Sequence, residues 1–163
     1  KARSLGVKTY LDPGEDPGTN GIDSLGDVIQ LTDILLPGIR EARWLSGEHD
    51  VVRAGYKLLS MGPELVALKL GAEGCILFYG DEHVYIPGFA VAPVDLTGAG
   101  DGFAAGLIAG YIMGWDPVQM GTLANATAAM NISAFGPRSG LPSLESVKVF
   151  MKEKKEQRNY MVI

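Results

Sequence analysis

The sequence predicts an α/β layered fold built on a mostly parallel sheet. Short apolar runs bounded by Gly and Pro, residues 33–36 and 65–70 above all, have the length and composition of buried strands. They alternate with stretches that read as helices, the order in which parallel strands and their crossovers are laid down. Residues 75–79 and 83–86 flank a Gly80-Asp81-Glu82 turn and read as a hairpin, which adds an antiparallel edge. No internal repeat or linker divides the chain, so residues 1–163 are expected to be one domain.

Each element follows from local signals. Residues 1–5 read as the end of a helix stopped by Gly6, and residues 7–11 alternate as a strand up to Asp12-Pro13-Gly14. The stretch 13–21, rich in Gly, Pro, Asp and Asn, is a loop. A short helix is predicted over 22–31, followed by the 33–36 strand, which Pro37-Gly38 stops. A helical turn over 41–45 closes at Gly47, and a helix over 51–61 stops at Gly62-Pro63. The 65–70 strand runs into Gly71-Ala72-Glu73-Gly74 before the hairpin. Residues 91–94 are expected as a further strand and 103–113 as a helix. Asp116 before Pro117 is an N-cap followed by a first-turn proline, opening a helix to about residue 134. Ser143 can cap a last helix that continues into the charged tail.

Composition narrows the function. A chain of 163 residues, 47% hydrophobic and 20% charged, supports an ordinary globular core. The net charge of −5, with basic residues clustered only at 152–155, argues against nucleic acid or an acidic membrane as main partner. The most apolar run, 103–115, is too short to span a bilayer and holds three glycines. Cys75 is the only cysteine, which excludes an internal disulfide and a cysteine-based zinc site and fits a reducing cytoplasm. His49 and His83 lie in polar, turn-rich surroundings and are expected at the surface. Trp44 and Trp115 are expected to pack rather than to stack on a ligand.

The chemistry concentrates where a strand gives way to a helix, at Asp95-Leu96-Thr97-Gly98-Ala99-Gly100-Asp101-Gly102-Phe103. Unpaired N–H groups at a helix start, with the helix dipole, attract an anion. Small residues at Gly98, Ala99 and Gly100 let a phosphoryl oxygen reach the main chain, and Asp101 on the same turn can take a proton from an attacking hydroxyl. Glycine recurs at 98, 102, 106, 110 and 114, so one helix face can approach a neighbour closely. On spacing alone, Asp101 as a plain N-cap and the glycines as packing residues remain an equal reading. Two other phosphate motifs fail. No Gly-Lys pair exists for a P-loop, and Phe103 stands where a dinucleotide fingerprint needs its third glycine. An oxidoreductase with an unusual dinucleotide site is disfavoured accordingly.

The segment 95–103 resembles the second signature of the PfkB/ribokinase carbohydrate kinases, and further landmarks occur in that family's order. Residues 36–42 resemble its P-N-x-x-E segment, with Gly38 standing where the family has Asn, three residues before Glu41. Residues 69–74 resemble its strand-to-loop segment, 124–129 its Ala-rich helix with Asn125, and 136–142 the loop before the last helix. The resemblance implies a ribokinase-like three-layer α/β/α fold. It implies ATP-dependent phosphorylation of a sugar or nucleoside hydroxyl, with Asp101 as base and the backbone of Gly98, Ala99 and Gly100 as anion hole. It assigns Glu41 to Mg²⁺, with a helix-cap role as alternative. Asp95 and Thr97, together with loop carbonyls near Ala134 and Gly136, match a site that holds a monovalent cation such as K⁺ in several members. Lys69, Gly71, Gly74, Asn125 and Gly136 are assigned to the nucleotide. A buried, satisfied Asn125 and ordinary turn glycines are the alternatives. Vitamin kinases of the same fold share the G-x-G-D turn and are the neighbouring reading.

Family members are roughly twice this length, and the chain opens on Lys1 in a helix-like segment. The expectation is a C-terminal portion lacking the N-terminal half and its β-sheet lid. Acceptor choice would then lie outside it, and activity of this portion alone would be in doubt. A non-catalytic nucleotide-binding fragment or degenerate kinase is the alternative. An exposed sheet edge would invite pairing, a homodimer included.

Overall fold

The computed structural model of the chain describes residues 1–14, 21–154 and 161–162, so residues 15–20 of the predicted loop and the tail beyond 154 up to 160 lie outside the described residues. Two compact units are present, residues 1–70 with 76–83, and residues 71–75 with 84–163. Six strands among the described residues follow one another in the sheet in sequence order. No helix among the described residues is long and apolar enough to cross a membrane.

The first unit is built on three parallel strands. These are β1 (Tyr10–Leu11), β2 (Ile34–Leu35) and β3 (Leu65–Lys69), paired Tyr10 with Ile34, Leu11 with Leu35, Ile34 with Leu65 and Leu35 with Val66. Helix α1 (Gly21–Gln30) connects the first two strands, and α2 (Ile39–Ser46) and α3 (Val51–Leu59) connect the second and third. Ile34, Leu35 and Leu36 are buried together with Leu65, Val66, Ala67 and Leu68, which explains why these strands read as continuous apolar runs rather than alternating ones. The side chain of Asp33 fixes the start of β1, accepting from the Thr9 N–H and the Thr9 hydroxyl, both at 2.8 Å. Asp50 caps α3 by accepting from the Arg53 N–H at 2.8 Å, and Gly47 ends α2 in the left-handed region.

The strands β4 (Gly74–Tyr79) and β5 (Glu82–Pro87) are the predicted hairpin. Residues 70–73 and 80–81 are connections far shorter than the dozen or so residues a parallel crossover needs, so β3, β4 and β5 run antiparallel. Strand β6 (Met161–Val162) pairs antiparallel with Tyr85 and Val84. Contrary to expectation, His83 is buried on the hairpin. Its ring stacks on Phe78 at 5.4 Å, and its Nδ1 lies 2.8 Å from the Tyr56 hydroxyl. The turn-like residues around it concealed this burial, which comes from packing against Tyr56 of α3 and Phe78 of β4.

The second unit contains α4 (Ala99–Ile112), α5 (Pro117–Asn131) and α6 (Leu144–Lys154). Asp116 caps α5 as predicted, accepting from Gln119 N–H at 2.8 Å, with Pro117 in the first turn. Ser143 caps α6 through the Ser146 N–H. Phe89, Leu123, Ala126, Ala129 and Val147 form its core, with Trp115 packed against them and Lys148 Nζ 5.9 Å from the Trp115 ring centroid. Residues 91–94 form no strand. The Val94 and Asp95 N–H groups donate instead to the Ile132 carbonyl at the end of α5, at 2.8 and 3.2 Å.

Helices α4 and α5 run antiparallel with backbones in contact. A Cβ on Gly102 would lie 3.4 Å from Ala128 Cα, on Gly106 2.8 Å from Ala124 Cα, and on Gly110 3.1 Å from Met120 Cα. The predicted close face is therefore real, and it leaves no room for a methyl group at its centre. Gly106→Ala should lower stability by about 1–3 kcal/mol in urea denaturation, because backbone must shift to admit the carbon. Gly26→Ala, in α1 with no atom within 4 Å of the added carbon, should raise it by about 0.5–1 kcal/mol.

Candidate functional site

Two clusters of polar groups gather at element ends, one in each unit. In the second unit the residues from Asp95 to Asp101 turn into α4. Gly98 is the N-cap with φ 79° and ψ 8°, a left-handed conformation in which a side chain is strained, and a Cβ there would sit 2.6 Å from the Pro137 carbonyl oxygen. Asp101 is therefore not the N-cap but the third helical residue, and its carboxylate makes no cap hydrogen bond. That carboxylate is exposed and has no hydrogen-bond or ion-pair partner among the described residues. Beside it, the Ala99 N–H is engaged with the Leu96 carbonyl at 3.2 Å, whereas the Gly100 and Asp101 N–H groups have no acceptor among the described residues. An anion would meet those two amides, and an acceptor hydroxyl brought to the same point would meet the Asp101 carboxylate.

Asp95 organises the approach to this turn. Its Oδ1 accepts from the Thr97 N–H and its Oδ2 from the Gly136 N–H, each at 2.9 Å. Donation from the Thr97 N–H first, then from the Thr97 hydroxyl and the Gly136 N–H, holds the Asp95 carboxyl below the usual aspartate value, against a smaller opposite effect of partial burial. Asn131, a residue the sequence did not single out, closes the other side. It is fully buried, and its amide nitrogen donates to the Gly98 carbonyl at 3.0 Å and the Pro137 carbonyl at 3.1 Å. An Asn at the end of an Ala- and Thr-rich helix was the available signal. The structure thus brings Asp95, Thr97, Gly98, Ala99, Gly100, Asp101 and Gly136 together.

Asn125 lies six positions earlier on α5 and is directed elsewhere. Its amide donates to the Ile86 and Pro87 carbonyls at 3.1 and 3.3 Å and reaches Cys75 Sγ at 3.5 Å, so it is a buried, satisfied side chain binding α5 to the strand ends. Gly74, at φ 112°, is wedged against the hairpin backbone, where a Cβ would approach the Gly88 nitrogen and the Ile86 carbonyl oxygen. Gly71 opens a single 3-10 turn, Gly71–Glu73, and faces open space.

The first unit gathers its polar groups at the carboxyl ends of its three parallel strands, where open α/β sheets receive ligands. Lys69 ends β3 and pairs through Nζ with Asp12, just past the end of β1. Its N–H donates to Pro37 at 2.8 Å, and it forms an isolated bridge to Gly38. Glu41, half-buried in the first turn of α2, accepts from the Gly38 N–H through Oε2 and leaves its other oxygen without a protein donor. Lys69 and Glu41 therefore converge on Pro37-Gly38, with Asp12 as a third member that the sequence reading had treated only as a strand end. No group of three His, Cys, Asp or Glu side chains able to cage a metal exists among the described residues.

A family model described as pfkB family carbohydrate kinase matches residues 2–144. Over 132 residues the chain is 40% identical to an uncharacterized sugar kinase of Archaeoglobus fulgidus, covering 81% of this chain and 52% of that protein. It is 34% identical over 158 residues to the 2-dehydro-3-deoxygluconokinase of Bacillus subtilis, covering 91% and 48%. Among solved structures, a candidate Ribokinase II from E. coli in complex with ATP and Mg²⁺ superposes with TM-score 0.85 at 28% identity, over 93% of this chain and 50% of that one. The chain spans about half the length of the curated relatives it matches.

The Asp95 bridge has a defined pH dependence. A carboxyl whose folded value is depressed contributes stability above its unfolded value and loses it as pH falls through the folded one. The Thr97 and Gly136 amide resonances should therefore hold constant from neutral pH down to about pH 4 and shift only below it. In Asp95→Asn that acid transition should vanish from both amides. A transition centred at or above the ordinary aspartate value in the wild-type chain would contradict the assignment.

Proposed function

From the premise that this chain belongs to the pfkB family of carbohydrate kinases, we propose that it is the nucleotide-binding and catalytic portion of a kinase. The reaction is transfer of the γ-phosphoryl group of ATP to a hydroxyl of a sugar or nucleoside acceptor, carried out in the cytoplasm. One observation carries this reading: at the start of α4 the Asp101 carboxylate has no partner, and the Gly100 and Asp101 N–H groups no acceptor, among the described residues. We assign residues 1–163 to a single partial domain, with the acceptor contacts contributed by the half of the relatives' length that this chain does not span.

In the proposed reaction Asp101 takes the proton of the acceptor hydroxyl as its oxygen forms a bond to the γ-phosphorus. The bond from that phosphorus to the bridging oxygen of ADP breaks. The Gly98–Gly100 turn supplies the anion hole, and the Gly100 and Asp101 N–H groups stabilise charge on the transferred phosphoryl oxygens. Phosphoryl transfer depends mainly on such positioning and electrostatic stabilisation, which fits an acidic protein that offers backbone amides rather than a basic patch.

Mg²⁺ commonly binds through one or two carboxylates plus phosphate oxygens, so the lack of a protein cage is compatible with it and Glu41 is the residue that would hold it. Bound there, it would offset negative charge on the nucleotide phosphates. Lys69, kept near the strand ends by Asp12, would meet the same phosphates. Gly71, Gly74, Gly136 and Asn125 would form the nucleotide side, Asn125 acting through the strand-end backbone it holds. Because both Asp95 oxygens already accept hydrogen bonds, a K⁺ ion beside Thr97 would be held chiefly by loop carbonyls.

The half-length coverage favours a second statement about the 163-residue chain taken alone, that it binds Mg·ATP without turning over a sugar. The test is an ADP-release screen of the full-length protein over sugars, sugar acids, sugar phosphates, nucleosides and vitamin acceptors of the same fold's kinases. Asp101→Asn should lower turnover roughly 10²–10⁴-fold while calorimetry finds Mg·ATP binding unchanged. Near-wild-type turnover in that variant would remove Asp101 from the mechanism.

A further inference from the structure

Asp95 and Asn131 span the same gap from opposite sides. The Asp95 carboxylate gathers two N–H groups, Thr97 and Gly136, and the Asn131 amide gathers two carbonyls, Gly98 and Pro137. One acceptor side chain and one donor side chain thus fasten the 97–98 turn to the 136–137 loop. The second bridge lies deeper. Asn131 has no exposed surface, and its Oδ1 is buried without a hydrogen-bond partner.

That orphan oxygen sets the cost of placing an amide here. Burying an amide with an unsatisfied acceptor is unfavourable, and Asn is a poor helix former, so an apolar side chain would serve α5 better if packing were the only demand. The Asn131 NH₂ group, in contrast, is fully used, one carbonyl for each hydrogen. Its two acceptors are consequential ones. The Gly98 carbonyl also accepts from the Gly102 N–H at 2.9 Å, closing the first turn of α4, and Gly98 has no room for a Cβ on the side of Pro137.

We propose that Asn131 is a positioning residue for the phosphoryl-transfer turn. By tying the Gly98 and Pro137 carbonyls it keeps the start of α4, and with it the amides and carboxylate of Asp101, in a fixed place against the 136–137 loop. Asp95 does the same through charge and is sensitive to acid, whereas Asn131 does it without charge. The role in catalysis rests on the reading of Asp101 as base; the tie itself does not.

The test uses two variants. Asn131→Asp keeps the shape but replaces the donor with an acceptor facing two carbonyls, and Asn131→Ala removes the tie should the first variant fail to fold. Amide hydrogen exchange on the 163-residue chain should quicken at Gly102 and Gly136 by roughly tenfold or more, with the interior amides of α5 at Leu123 and Ala126 unchanged. In the full-length kinase kcat should fall on the order of 10²-fold with KM for ATP little altered. Wild-type exchange at Gly102 and Gly136 in a folded variant overturns the tie. Faster exchange with unchanged kcat overturns the positioning role. Turnover that survives Asp101→Asn points instead to a failure of the base assignment, and the exchange result still stands by itself.

Discussion

The contact between the backbones of α4 and α5 is the constraint on which the rest of the second unit depends. With glycine at 102, 106 and 110 no side chain separates the helices, and the antiparallel arrangement sets the start of α4 against the end of α5. The end of α5 then supplies what the start of α4 lacks. The Ile132 carbonyl takes the Val94 and Asp95 N–H groups, and Asn131 takes the Gly98 carbonyl. Antiparallel helices also bring opposite dipole ends together, so the packing is electrostatically consistent as well as close. A larger residue in the glycine stripe would shift the turn that carries Asp101 as well as loosening the core.

In a chain with net charge −5, the start of α4 presents main-chain N–H groups, those of Gly100 and Asp101. Asp95 and Asp101 stand at the same helix start with opposite situations. Asp95 is saturated by Thr97 and Gly136, which depresses its pKa and uses its charge to fasten backbone. Asp101 is exposed and has no hydrogen-bond or ion-pair partner among the described residues. Two carboxylates six residues apart are thereby given different tasks by hydrogen bonding alone.

In the first unit the parallel strands achieve by topology what no single segment does. Asp12, Gly38, Glu41 and Lys69 come from three separate stretches, yet each follows directly on the carboxyl end of a strand or opens the helix after it. Parallel register aligns those ends. The Lys69–Asp12 pair holds a long side chain that would otherwise be free, and Glu41 is held by the N–H of Gly38, the residue that stands where the family's segment has Asn.

Much of this was legible because it is local. Asp116 and Pro117 announce a helix start, Gly80-Asp81-Glu82 a hairpin turn, and glycine at every fourth position a close helix face, since each depends on backbone chemistry within a few residues. The alternatives at Asp101 and Asn125, and the overturned expectations of a strand at 91–94 and a surface His83, depended on packing. Asp101 loses the cap to Gly98, three positions earlier, whereas the satisfaction of Asn125, the pairing of residues 91–94 and the burial of His83 turn on atoms 27 to 50 positions away. Asn131 is the clearest instance. Its type and helical position can be read from the chain, but its two carbonyls, at 98 and 137, are neighbours only after α4 and α5 have packed, because a side chain's hydrogen bonds are chosen by whichever unpaired groups folding brings within 3 Å or so.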